Sequence, residues 1–212
     1  EEAIGSGVQH MSVYMLEVDE ESRLGREMLA KGTRYHAAAV PSEDAAAEWY
    51  QMACEAFGAA GLQQYEISNF AREGQASRHN LKYWRREPYV GFGLDAHSML
   101  RTDGGAVRFA NTDDLDAYLG RAEGSPPGVD FIGREQAFEE SLFLGLRLNA
   151  GVNLGVLRGE FGAAMVLDAM PALLEVRDAG LLEWEADWIR LTARGRLVSN
   201  EVFSRLLIGA AA

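Results

Sequence analysis

Two stretches in the first third of the chain alternate apolar and polar side chains as β-strands do. In Gln9–Val18 the alternation places His10, Ser12 and Tyr14 on one face of a predicted strand. Leu62–Ile67, which follows a predicted helix, is a second predicted strand. Helices that alternate with strands are typical of α/β proteins with parallel sheets, and we expect that fold class here.

The helix between these strands has well-marked ends. Ser42 can accept hydrogen bonds from the first free backbone N–H groups, and the acidic residues after it suit the positive end of the helix dipole. Gly61 is the residue type that commonly follows a last helical turn. The sequence therefore predicts a helix from Ser42 to about Ala60.

The middle of the chain is less regular. Ser68–Glu87 is polar and irregular, which predicts a long loop, and loops of that length are often functional. Asp103–Gly105 is a hairpin turn signal. The other elements predicted in this part are extended segments at Tyr89–Leu94, Ser98–Leu100 and Val107–Phe109, and a helix from Asn111 to Gly120.

Gly124–Gly128 contains glycines and prolines that break regular structure, and it predicts a linker between two domains, 1–124 and 129–212. The elements expected in the second domain are helices at Arg134–Leu148, Leu154–Phe161 and Asp168–Ala179, a hairpin of Leu181–Trp184 with Trp188–Leu191, and a last helix at Arg194–Leu207. This order is typical of a winged-helix-like α+β module.

The charge balance excludes several classes of partner. The 212 residues include 32 acidic and 20 basic side chains, which give a net charge of -12. An acidic surface repels phosphate backbones, so we expect no nucleic acid partner, even for a winged-helix-like module. No stretch reaches the roughly 20 apolar residues that cross a bilayer, so we expect no transmembrane segment and a cytoplasmic location.

Cys54 is the only cysteine in the sequence. One thiol cannot form an internal disulfide, a multi-cysteine zinc site or an iron-sulfur cluster held by this chain alone. Because Cys54 lies in the predicted helix among large apolar residues, we interpret it as a core residue.

The most specific chemistry lies between Tyr65 and Trp84. His79 offers an imidazole that can bind a metal such as iron, and Tyr83 and Trp84, close behind Asn80, offer faces that can stack on a flat ligand. Four nearby cations suit carboxylate groups on such a ligand: Arg78, Lys82, Arg85 and Arg86. The alternative is that His79 hydrogen-bonds a buried backbone group, that Tyr83 and Trp84 anchor a loop to the core, and that the cations form a solvated face.

Further candidate site residues lie near the end of the second predicted strand, where α/β folds bind ligands. The side chains of Glu66, Ser68 and Asn69 are expected to point toward the mouth of one ligand-binding cavity. The face of the first strand that carries Tyr14 lines the same mouth in this interpretation, although a half-buried strand with a wet face explains the alternation as well. His97 is a candidate second ligand or general acid, or else a structural histidine.

Five motifs together are similar to one known family. They are His10–Leu16, Tyr65–Ala71, His79–Trp84, Asp95–Ser98 and Leu191–Gly195. On these motifs the chain resembles the oxygen-independent coproporphyrinogen III oxidase-like radical SAM family, and within it the haem chaperone branch. The resemblance implies that the chain holds the last strands and helices of a partial (β/α)6 radical SAM barrel, followed by the winged-helix-like module.

In that family a CxxxCxxC loop holds a [4Fe-4S] cluster, with S-adenosylmethionine at its open site. This sequence has no such loop, so we expect Glu1 to lie inside a longer parent protein that carries it. We do not expect this chain to be catalytic alone. The HNxxYW motif of the family, proposed to bind haem, matches His79, Asn80, Tyr83 and Trp84, which makes His79 the expected iron ligand.

The resemblance implies a haem chaperone that binds haem or porphyrin and transfers haem to haem-dependent proteins. A first alternative is an oxidase that decarboxylates coproporphyrinogen III by radical chemistry. A second is a non-catalytic interaction module whose C-terminal domain docks a partner. The residues of this chain leave the three functions open.

Overall fold

The computed structural model describes residues 2–120 and 128–207. It divides into two compact units, Glu1–Ala76 and Ser77–Ala212. Both units combine helices with three-stranded antiparallel sheets, which makes this a mixed α/β protein. The predicted linker Gly124–Gly128 lies outside the described residues except for Gly128, so the predicted domain division stays a prediction.

The first unit is built on one small sheet. Its strand β3 lies between β1 and β2 and pairs antiparallel with both. In chain order the elements are α1 Glu2–Gly5, β1 His10–Ser12, α2 Arg23–Leu29, a 3-10 segment at Arg34–Ala39, α3 Glu43–Ala59, β2 Gln63–Glu66 and β3 Asn69–Ala71.

Helix α3 begins where the sequence predicts, because the Ser42 side chain accepts a hydrogen bond from the Ala45 N–H at 3.3 Å. The helix packs against the sheet through Phe57, whose ring lies 5.1 Å from that of Phe70, centroid to centroid. Phe70 is fully buried. The core of this unit therefore forms where α3 covers the central strand.

The parallel arrangement expected for this region is replaced by antiparallel pairing, because β3 inserts between β1 and β2. The three residues of β3 are all buried, so they show no alternation that could have marked a strand. The predicted strand Gln9–Val18 is confined to His10–Ser12, followed by one more bond from the Val13 N–H to the Ser68 carbonyl. The partial barrel stays a prediction.

The second unit contains two further sheets, with strand orders β4-β5-β6 and β7-β9-β8. None of the helices among the described residues has the length and apolar character that crossing a membrane requires. The elements are α4 Arg78–Trp84, β4 His97–Thr102, β5 Gly105–Ala110, α5 Leu115–Leu119, β6 Val129–Ile132, α6 Arg134–Arg147, β7 Val152–Asn153, α7 Leu154–Phe161, α8 Ala163–Asp178, β8 Leu182–Glu185, β9 Trp188–Leu191, α9 Ala193–Leu197 and α10 Ser199–Arg205.

The sheet β4-β5-β6 has two different faces. Met99, Ala106 and Ile132 are buried on the face that also carries Arg108, which reaches Glu140 of α6. On the other face, the register aligns Leu100, Val107 and Phe131 across the three strands. Helix α6 therefore supports the sheet from one side through β5.

Most predicted elements of the second unit are confirmed, including α6, α7 and both hairpins. The long loop predicted at Ser68–Glu87 is wrong, since it contains both β3 and α4. Strand β6 was not predicted. The last helix breaks at Val198, whose backbone angles of -115° and 32° interrupt the helical ladder between α9 and α10.

We predict that Phe70→Ala destabilises the first unit by about 3 kcal/mol, because the substitution leaves a cavity in the centre of its core. Hydrogen exchange of the Gln63–Ala71 amides should accelerate strongly. The control is Trp49→Ala on the outer face of α3, where 59% of the residue is exposed. Equal exchange in the two variants would contradict this account of the core.

Candidate functional site

A cleft in the second unit brings together two of the four histidines of the sequence. Its volume is about 210 Å³. Pockets that enclose a small organic ligand measure roughly 300–1,000 Å³, so this cleft can hold only the edge of a large flat ligand. The cleft is lined by His79, Lys82, Tyr83, Tyr89, Val90, Gly91 and His97.

Helix α4 supplies one wall. The Ser77 hydroxyl accepts a hydrogen bond from the Asn80 N–H at 3.2 Å and starts the helix. His79 and Tyr83, four residues apart, then share one helical face, and their rings meet edge to face at 4.9 Å. The ring of Tyr83 contacts that of Tyr89 at 4.7 Å. The His79 ring is thus supported by an aromatic row and remains exposed.

The opposite wall comes from the backbone beside β4. The N–H groups of Tyr89 and Met99 donate to each other's carbonyl oxygens at 2.9 Å, which holds Tyr89 against the sheet. Gly91 then passes so close to the His97 carbonyl that a Cβ at this position would overlap it. Only glycine fits there, which explains how His97 comes to line the same cleft as His79.

The environment of Tyr89 disfavours ionisation of its phenol, which is neutral at physiological pH even at the ordinary tyrosine pKa of about 10. Burial raises the pKa of Tyr89 above its ordinary value, and the neighbouring Tyr83 phenol raises that pKa further. A neutral phenol can donate a hydrogen bond at physiological pH. The aromatic row therefore offers the cleft a polar hydroxyl without adding negative charge.

Arg86 has a structural role, which differs from the carboxylate-binding role considered from sequence. It is buried, and its Nε donates to Glu140 Oε2 at 3.0 Å. Burial lowers the pKa of Arg86, while the charge of Glu140 acts in the opposite direction. Glu140 Oε1 also pairs with Arg108 at 2.8 Å. Glu140 thereby joins α6, β5 and the end of α4.

Trp84 and Asn80 lie outside the lining of the cleft. The guanidinium carbon of Arg147 stands 4.3 Å from the centre of the Trp84 ring, a cation–π contact with α6. The buried Trp84 Nε1 has no hydrogen-bond partner among the described residues. Trp84 thus occupies the anchoring position that was the alternative to ligand stacking.

Four predicted site residues belong to the first unit. Glu66, Ser68 and Asn69 are buried, and Glu66 Oε1 accepts hydrogen bonds from the Ser68 N–H and the Asn69 side-chain amide. The Ser12 hydroxyl donates to Asn69 Oδ1, so the two predicted strand faces do meet. They meet in an internal hydrogen-bond network rather than an open mouth. Tyr14 is 73% exposed.

Of the nine residues predicted for the site, His79, Tyr83 and His97 line one cleft. Tyr89, Val90 and Gly91 also line the cleft, and none of them was predicted as a site residue. The signal for Tyr89 was weak: it begins a predicted extended segment after Pro88, without a motif that relates it to His79. Only the pairing of Tyr89 with Met99 brings it to the site.

The described residues contain no group of three or more His, Cys, Asp or Glu side chains that could hold a metal ion. Cys54, the only cysteine of the sequence, lies within α3. A [4Fe-4S] cluster needs several thiolates, so the residues of this chain do not fit one by themselves. An exposed imidazole such as His79 fits a single axial bond to iron in a macrocycle.

Residues 132–198 match the family described as the HemN C-terminal domain. The heme chaperone HemW of Bacillus subtilis is 35% identical over 210 residues, which are 97% of this chain and 52% of that protein. HemW of Mycobacterium tuberculosis is 32% identical over 208 residues, which are 97% of this chain and 49% of that protein. The chain thus spans about half the length of these curated relatives.

The fold is also similar to a solved structure, that of coproporphyrinogen III oxidase (HemN) from Escherichia coli, described as a radical SAM enzyme. The TM-score is 0.70 with 15% sequence identity, and the similarity covers 97% of this chain and 49% of the other. At this identity the comparison establishes the fold alone. The chain matches part of the HemN structure.

We predict that Arg86→Met lowers the free energy of unfolding by about 3 kcal/mol, because it leaves the buried Glu140 carboxylate without one of its two cations. Urea unfolding followed by circular dichroism measures the change. The control is Arg85→Met, whose exposed contact with Glu87 at 4.0 Å should contribute less than about 1 kcal/mol. Equal midpoints for the two variants would contradict a supporting role for Arg86.

We further predict that alkaline ultraviolet difference spectra contain a component above the ordinary tyrosine range and that Tyr89→Phe removes it. Since the raised pKa favours the neutral phenol in the folded state, its stabilising contribution is complete below the ordinary tyrosine pKa of about 10. The contribution is lost as pH rises through the folded-state pKa. In the control, Tyr35→Phe at an exposed position, the high component should persist.

Proposed function

The chain belongs to the HemN-like radical SAM family, and we propose that it binds haem and passes it to haem-dependent proteins, as a haem chaperone does. The observation that carries the proposal is the cleft in which exposed His79 stands beside His97 and the Tyr83–Tyr89 aromatic pair. A neutral imidazole is a common axial ligand of haem iron. Aromatic edges and faces suit the flat macrocycle that surrounds the iron.

The charges on α4 support an anionic ligand. Haem carries two carboxylates, and most of this chain repels anions because its net charge is -12. Helix α4 differs from that average: it contains Arg78 and Lys82 and no acidic residue. Lys82 lines the cleft itself. We assign Lys82 to a haem carboxylate, with His79 directed to the iron.

The size of the cleft is consistent with a carrier. A ligand whose edge alone is enclosed loses less of its solvent contact than one in a deep pocket, so its affinity is lower and its release is faster. A chaperone has to release haem to an acceptor. We therefore propose one protein ligand to the iron, His79, with His97 at the rim of the cleft.

The two other functions are separable from this one. Radical decarboxylation of coproporphyrinogen III needs a cluster that the single cysteine Cys54 cannot hold, so that activity would require residues beyond this chain. An interaction module needs no exposed imidazole beside aromatic rings. Haem binding is the function in which His79, Lys82 and Tyr83 can all contact one ligand. We assign Asn80 and Trp84 to the support of helix α4.

We predict that adding haemin to the chain shifts the Soret band and that His79→Ala abolishes the shift. The matched control is His36→Ala, since His36 is also exposed and lies in the other unit. His97→Ala should weaken binding by a smaller factor because we place His97 at the rim. Identical spectra for wild type and His79→Ala would rule out His79 as the iron ligand.

A further inference from the structure

The backbone segment Gly91–Asp95, which we call the arch, continues from the wall that Val90 and Gly91 form on the β4 side of the cleft. The Asn111 side-chain amide donates to the Gly93 carbonyl at 2.8 Å, and the Gly93 N–H donates to the Tyr118 hydroxyl at 3.1 Å. The Gly91 N–H donates to the Ser98 hydroxyl at 3.0 Å. The backbone on both sides of Phe92 is therefore fixed by hydrogen bonds.

Beside the exposed Asp95, the arch and the residue before it carry three exposed apolar side chains. Phe92 is 87% exposed, the highest value among the large apolar residues recorded as exposed, and Val90 and Leu94 are exposed as well. A single exposed apolar residue needs no explanation, but these three, called the strip, lie within five residues of a fixed backbone beside the cleft. Val90 also lines the cleft, so the strip continues its wall outward.

The volume of the cleft determines which part of a bound ligand must contact this strip. At about 210 Å³ the cleft holds one edge of a tetrapyrrole, so the rest of the ring extends over the rim. Opposite α4 the cleft is lined by Val90 and Gly91, and Phe92 follows Gly91 directly in the arch. We infer that Phe92, with Val90, is a stacking shelf for the porphyrin ring, which it recognises through the macrocycle rather than the metal. The inference rests on the tetrapyrrole binding proposed above.

This assignment separates two kinds of recognition within one site. His79 bonds to iron and so discriminates haem from metal-free porphyrin. Phe92 contacts the ring and so binds both ligands alike. Because Phe92 is exposed and its backbone is held by Ser98, Asn111 and Tyr118, its side chain can be removed without loss of the fold.

The test compares haemin with protoporphyrin IX, which has the same ring without iron, by titration of the full chain with absorbance and porphyrin fluorescence as readouts. Phe92→Ala should weaken the binding of both ligands about tenfold. Phe92→Tyr should restore it because the ring is retained. The matched control is Phe131→Ala, which removes the same side chain at 81% exposure from β6, across the sheet from the Tyr89–Met99 bridge.

Each outcome decides between the two assignments. If Phe92→Ala and Phe131→Ala bind protoporphyrin IX equally well, the shelf is wrong whatever His79 does. If Phe92→Ala weakens both ligands while His79→Ala leaves the haemin spectrum unchanged, the shelf stands and His79 is not the iron ligand. If the chain binds neither ligand, both proposals are overturned.

Discussion

The buried carboxylate of Glu140 is the contact on which the second unit depends. It is 4% exposed, and each of its oxygens pairs with a different arginine, Arg86 at 3.0 Å and Arg108 at 2.8 Å. Burial of one unpaired charge is costly, and a carboxylate that accepts from two guanidinium groups offsets the loss of its hydration. The two ion pairs also fix the orientation of α6 relative to α4 and β5, because Arg86 follows α4 and Arg108 lies on β5.

The cleft follows from this pairing. Arg86 has a positive φ of 49°, a conformation that only a few per cent of non-glycine residues adopt, and the Arg101 side chain donates to its carbonyl at 3.1 Å. The chain turns there and runs back to Tyr89, which meets both Tyr83 and Met99. Thus the strained turn is stabilised by buried charge, and it places α4 opposite the beginning of β4.

Local signals in the sequence were sufficient for much of the fold. Ser42 predicts the start of α3, and the predicted bounds of α6 are correct to within one residue. Both helices were predictable because the residues that start and end a helix lie within one or two turns of its ends. The pairing of Arg86 with Glu140 joins residues 54 positions apart, so no local pattern revealed it, and Arg86 was grouped with cations that bind ligand carboxylates or form a solvated face. For the same reason the sequence suggested His79 and His97 separately but missed Tyr89, whose role depends on a bridge to β4.

The polar residues predicted for the site have two different physical roles in the structure: some are buried in hydrogen bonds, and others are exposed at the cleft. In the first unit, Glu66 Oε1 accepts a hydrogen bond from the Asn69 side-chain amide away from water, and such a buried contact stabilises a unique fold. In the second unit the charges of Arg86 and Glu140 are buried, while His79 and Lys82 line the cleft and remain exposed. A carrier needs this second arrangement, because groups that are free in the unloaded protein can bind a ligand and release it without breaking the interactions that maintain the fold.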